Sequence, residues 1–157
     1  MEGEINIVRP PFQIREIGEI AIRCFDINLM FEFYRDIIGL EIMNDTRDEG
    51  IVFFKICSGF GGHTSVLALF LPDAGRQDLH PHGTKKPETG ATSSLHHLAL
   101  TVAFNEQDAI KNWLNQNSIE WKEQVFEWIG WRGIFFKDPE GNTVELVAAD
   151  KSLLKLD

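Results

Sequence analysis

Two cysteines in 157 residues, Cys24 and Cys57, are too few for a disulfide framework, and both fall inside strand-like apolar segments. The sequence therefore predicts buried free thiols and a reducing, cytoplasmic compartment. Long apolar runs are missing as well. The longest, such as "VLALFLP", are strand-sized, and the opening "MEGEINIVRPPF" has neither a basic start nor a long apolar segment. Nothing predicted here crosses or enters a membrane. Basic patches interleaved with aromatics are also absent, and 15 Lys and Arg against 24 Asp and Glu give a formal charge of −9. Negative charge spread without acidic blocks favours solubility and repels phosphate backbones, which argues against nucleic acid as a partner.

What is present is a globular balance, 43% hydrophobic and 25% charged, in a length that suits one well-buried domain or two small modules sharing a core. The chain also echoes itself. "EIAIRC" from Glu19 answers "HLALTV" from His97, "GIVFFK" from Gly50 answers "GIFFK" from Gly133, and "LALF" from Leu67 answers "VELV" from Val144. The offsets are 78, 83 and 77 positions, and three matches in one order point to a duplication.

Each half reads as strand, helix and three strands. Asp26 is the expected cap of a first helix with Met30, Phe33, Tyr34 and Ile37 on its apolar stripe and Gly39 as its stop. Asn105 is the expected cap of a second, with Ile110, Trp113 and Leu114 buried. Strands follow at about 40–45, 50–57 and 63–71, and again at about 119–128, 132–137 and 142–149. "DPEGN" suits a type I turn between the last two. Module one spans about 14–71 and module two about 95–149, within a single domain of residues 1–157. Residues 72–94, rich in Pro, Gly, Thr and Ser, form a linker or lid, in which His80 and His82 are read as solvated loop residues.

Alternation divides each key strand into two faces. Ile20, Ile22 and Cys24 oppose Glu19, Ala21 and Arg23; Leu67, Leu69 and Leu71 oppose Val66, Ala68 and Phe70. In the second half Leu98, Leu100 and Val102 oppose His97, Ala99 and Thr101, and Val144, Leu146 and Ala148 oppose Thr143, Glu145 and Val147. One face is apolar and must cover a helix; the other mixes small and isolated polar residues, as a partly wet cavity wall does. His97, Glu19 and Glu145 share the cavity face, whereas His96 falls at the rim. Trp128, Trp131 and the Phe53/Phe54 and Phe135/Phe136 pairs are read mainly as core.

"FYRDIIGLEI", "HHLALTV" and "GIFFKDPEGNTVELV" together resemble the vicinal oxygen chelate superfamily, which includes glyoxalase I, extradiol dioxygenases and the fosfomycin and bleomycin resistance proteins. The resemblance covers nearly all of residues 14–149. It implies an α+β fold: two tandem βαβββ modules forming a curled mixed β-sheet cleft, with helices packed outside. It also implies a divalent metal (Mn, Fe, Ni, Zn or Mg) in that cleft, and a homodimer. The family's ligand positions are Glu19, Ala68, His97 and Glu145 here. Ala68 cannot ligate, and Glu19 stands where most members have histidine. Three protein ligands would leave coordination positions open to substrate.

The expected function is thus a small-molecule enzyme of lyase or isomerase type, less readily an extradiol dioxygenase, that chelates vicinal substrate oxygens. Glu145 and Glu19 would double as proton carriers, and Arg23, Thr101 and Phe70 would contact substrate. The alternative is a metal-free protein of the bleomycin-resistance type that sequesters a small molecule.

Overall fold

The computed structural model describes residues 9–76, 78–79 and 95–155. The first half folds as β1 (Glu19–Arg23), α1 (Ile27–Glu32), β2 (Glu41–Thr46), β3 (Ile51–Phe60) and β4 (His63–Phe70). The second repeats the order as β5 (Leu98–Thr101), α2 (Gln107–Gln116), β6 (Lys122–Phe126), β7 (Trp131–Lys137) and β8 (Thr143–Ala149). The sheets run β1-β4-β3-β2 and β5-β8-β7-β6, each with one parallel pair and two antiparallel ones. The fold is α+β and consists of two βαβββ modules. Parallel neighbours need a long crossover, and the crossover of each module carries its helix onto the apolar face of its sheet. His80, His82 and most of the 72–94 linker lie outside the described residues.

Register makes the duplication quantitative. Across the first sheet Ala21, Ala68 and Phe53 stand side by side; across the second, Ala99, Glu145 and Phe135 do. Lys55 beside Val66 therefore corresponds to Lys137 beside Thr143, an offset of 82. The glycine match of the sequence does not survive: Gly50 sits in a left-handed turn at φ 82°, while Gly133 lies within β7 and corresponds to Ile51.

Asp26 caps α1 by accepting from the Leu29 amide at 3.0 Å. The helix then widens into a π-helical turn, Phe33–Ile37, in which the Ile38 amide reaches back to the Phe33 carbonyl. The extra residue in the turn rotates the helix face, so that the consecutive Phe33 and Tyr34 are both buried. The second helix departs from expectation at its start. Asn105 lies in a 3₁₀ turn, Phe104–Glu106, and α2 begins without a side-chain cap; buried Gln107 instead bonds the Arg132 carbonyl and guanidinium of β7. Trp113 is also not core: it is 43% exposed, and its indole N–H donates to the Ile37 carbonyl of the first module at 3.0 Å.

The two halves share one apolar cluster and meet on their helical side. Phe33 of the π turn packs on Phe136 of β7, ring centroids 6.3 Å apart. The Tyr34 hydroxyl donates to Asp138 Oδ2 at 2.8 Å, and Glu140 accepts the Phe25 and Asp26 amides that precede α1. "DPEGN" does form the expected turn, closed by Gly141 N–H to the Asp138 carbonyl, but it also clasps the modules together.

Burial corrects three further expectations. Cys24 is fully buried and its thiol is pushed up to about 12, chiefly by desolvation, whereas Cys57 is exposed beyond a register shift in β3. Trp128 and Trp131 are exposed, not core. Of the phenylalanine pairs, Phe54 and Phe136 are core, while Phe53 and Phe135 are half-buried on the other face of their sheets.

Candidate metal and ligand face

On the faces opposite the helices the first strand of each sheet is exposed, while the central strands are covered. In β1, Glu19, Ala21 and Arg23 are exposed while Ile22 is buried; ahead of and within β5, His97, Ala99 and Thr101 are exposed while Leu98 is buried. The alternation placed these side chains correctly. On the second sheet it brings two of them together: His97 Nε2 lies 3.6 Å from Glu145 Oε1. Two ligands about 2.1 Å from one ion at the tetrahedral angle stand about 3.4 Å apart, so this imidazole and carboxylate fit a shared metal. Glu19 belongs to the first sheet, and among the described residues no group of three or more His, Cys, Asp or Glu side chains gathers at metal-holding distance.

Three further residues shape the surroundings of this pair. His96 Nδ1 approaches His97 Nδ1 to 2.7 Å, which leaves Nε2 of His97 facing Glu145. A metal-ligating histidine uses its second nitrogen in this way, to fix its tautomer and ring plane. Phe135 packs against the His97 ring at 6.2 Å. Gly133 gives the Glu145 carboxylate its room, since a Cβ there would meet Glu145 Cδ at 3.0 Å and the Phe135 ring at 2.8 Å.

Glu145 is 94% buried, at 6% residual exposure. Desolvation raises its carboxyl above the usual range, and the nearby His97 only partly opposes this. A raised folded-state value means that ionisation costs the folded state more than the unfolded one. In chelator-treated protein, stability is therefore expected to fall as pH rises from the ordinary carboxyl value of 4.5 through the folded one. Glu145→Gln should abolish that fall. Denaturant melts of both forms between acid and neutral pH check it, and parallel pH curves would contradict the burial argument.

The first sheet answers differently at the matching position. Ala68 is fully buried, flanked by Phe53 and Phe70, whose rings meet edge to face at 6.0 Å. Its floor is apolar where that of the second sheet is acidic. Thr101 also borders a cavity of about 490 Å³ between the modules, walled by Ile37, Ile56, Leu100, Trp113 and Leu146.

The chain matches the Glyoxalase/Bleomycin resistance protein/Dioxygenase superfamily over residues 16–146. Among solved structures it is similar to a lactoylglutathione lyase from Agrobacterium tumefaciens, 25% identical, covering 89% of this chain and 96% of that one at a TM-score of 0.60. A glyoxalase/dioxygenase from Nostoc punctiforme is 24% identical, with coverage of 94% and 99% and a TM-score of 0.64. A mutant of the fosfomycin resistance protein FosX from Listeria monocytogenes, complexed with Mn(II) and 1S,2S-dihydroxypropylphosphonic acid, is 19% identical, with coverage of 90% and 97% and a TM-score of 0.61. No curated protein matches the chain.

Proposed function

Since the chain belongs to the glyoxalase/bleomycin resistance protein/dioxygenase superfamily, we propose that it is a lyase or isomerase acting on a small molecule at a divalent metal held by His97 and Glu145. The observation that carries this reading is the 3.6 Å approach of His97 Nε2 to Glu145 Oε1 on the sheet face turned away from the helices. When bound, the ion would act as a Lewis acid toward charge developing on one of two adjacent substrate oxygens. His96 holds the His97 ring in place. The histidine–carboxylate donor set suits Mn²⁺, Fe²⁺, Ni²⁺, Zn²⁺ or Mg²⁺, and the FosX complex with Mn(II) makes Mn²⁺ the first to test.

Glu19 enters this reading from a second copy of the chain. The contacts that join the modules, Phe33 with Phe136, Tyr34 with Asp138 and Trp113 with Ile37, all lie on the helical side. The faces turned away from the helices are thus left for a homodimer partner, which would bring Glu19, Arg23 and Phe70 of one copy over His97, Glu145 and Thr101 of the other. Two cysteines without a disulfide support a cytoplasmic setting.

A metal-free binding protein is the second reading, favoured by the aromatic floor around Ala68. Elemental analysis of protein purified without chelator, then loaded with each ion, separates the two. One ion per chain is expected, lost in His97→Ala and in Glu145→Ala. Mixing unfolded His97→Ala and Glu19→Ala chains and refolding them should restore tight binding at about a quarter of the sites, because only mixed dimers rebuild one complete centre. Binding of none of the five ions leaves the metal-free reading; no recovery on mixing removes the shared site.

A further inference from the structure

At the end of the second sheet a groove of about 960 Å³ lies between the turn after α2, with Ser118 and Ile119, and the strand residues Lys122, Phe135, Lys137 and Thr143, with Glu120 and Trp121 on its wall. Register places its polar residues on the same face as the pair: Lys122 stands beside Phe135, Phe135 beside Glu145, and Lys137 beside Thr143. Phe135 is common to both, contacting the His97 ring and lining the groove. In a chain of net charge −9 the two lysines are conspicuous. Lys111 and Arg132 both pair with Glu123, but among the described residues neither Lys122 nor Lys137 has a carboxylate partner. Lys137 Nζ donates to the neutral Thr143 hydroxyl at 2.6 Å, which directs the ammonium along the sheet and leaves its charge uncompensated.

We propose that this groove receives the anionic end of the substrate, an oxyanion drawn in by Lys122 and Lys137 behind a flat apolar body that lies on Phe135. The proposal names a substrate class for the face read above as a small-molecule site, and rests on that reading. Strands stand about 4.8 Å apart, so Lys122 lies two strands, or about 10 Å, from Glu145 along the sheet. A ligand of that length reaches from the histidine–glutamate pair to the lysines. Glu120 on the groove wall opposes the anion and caps its affinity.

Phenylacetate and its neutral isostere phenylacetamide probe this groove without any metal. In chelator-treated protein, phenylacetate should shift the Trp121 indole N–H resonance, assigned with Trp121→Phe, in a saturable way, and phenylacetamide should not. Lys122→Gln and Lys137→Gln should each weaken phenylacetate by about tenfold, as expected for a charge-assisted contact. Glu120→Gln should tighten it. Equal binding of the two probes, or phenylacetate binding undiminished in both lysine variants, would overturn the proposal. Lysine-dependent phenylacetate binding in a protein that takes up no metal would uphold the groove while the metal reading fails.

Discussion

Asp138→Ala is expected to destabilise the protein by about 3–5 kcal/mol, a shift in melting temperature of roughly 10 °C. Asp138 is buried and its carboxylate serves four donors: the Tyr34 hydroxyl, the Asn142 side-chain amide, and the backbone amides of Glu140 and Asn142. Alanine removes the acceptor from all four, and the Tyr34 hydroxyl lies buried in the core. Tyr34→Phe removes one of the four and should cost about 1–2 kcal/mol. Because Tyr34 and Asp138 belong to different modules, the double variant tests the clasp. Coupling of about 1 kcal/mol or more in a double-mutant cycle is expected. Additive losses would mean that Asp138 only shapes its own turn.

The strands, their faces and the β7–β8 turn could be read from the sequence because each depends on residues a few positions apart. Alternation in "EIAIRC" and "HLALTV" fixes which side chains leave the helix side, and the structure keeps Glu19, His97 and Glu145 where that rule puts them. The clasp could not be read. Tyr34 and Asp138 are 104 residues apart, and each looks locally sufficient, one as a core aromatic and the other as a turn residue. The π turn was hidden for a related reason: burial of both Phe33 and Tyr34 against the second module selects it, and no helical periodicity in "FEFYRDIIG" encodes it. His96 is exposed, in keeping with its parity at the rim, and what alternation does not encode is the contact of its ring with His97.

The duplication also explains how two equal frames came to differ in chemistry. Where the first sheet has Ala68 it can carry Ile51 at the diagonal position; where the second has Glu145 it has Gly133. Side-chain volume has moved from one position to its neighbour. The first sheet spends the space on an apolar floor, and the second on a carboxylate with room to turn toward His97.

Gly133 is therefore the residue whose enlargement should damage the centre most for the least chemical change. Its φ is not in the left-handed range, so alanine or valine fits the backbone of β7, and the only obstacle is space. The 3.0 Å contact that a Cβ would make with Glu145 Cδ can be relieved only by moving that carboxylate, and the 2.8 Å contact with Phe135 only by tilting the ring that packs on His97. Both movable groups are side chains, which predicts a folded protein with a misaligned pair. Gly133→Ala should weaken divalent metal binding by about tenfold and Gly133→Val by about 100-fold, in line with the loss when a ligand is displaced by a fraction of an ångström to an ångström. Overpacking should cost only about 1–3 kcal/mol of stability. Titration of Mn²⁺ into each variant, with circular dichroism to confirm the fold, reads both effects, and Ile51→Ala serves as the matched control whose metal affinity should not move. Undiminished affinity in Gly133→Val would show that Glu145 is not held where the ion would need it, and with it would go the role assigned to the 3.6 Å approach to His97.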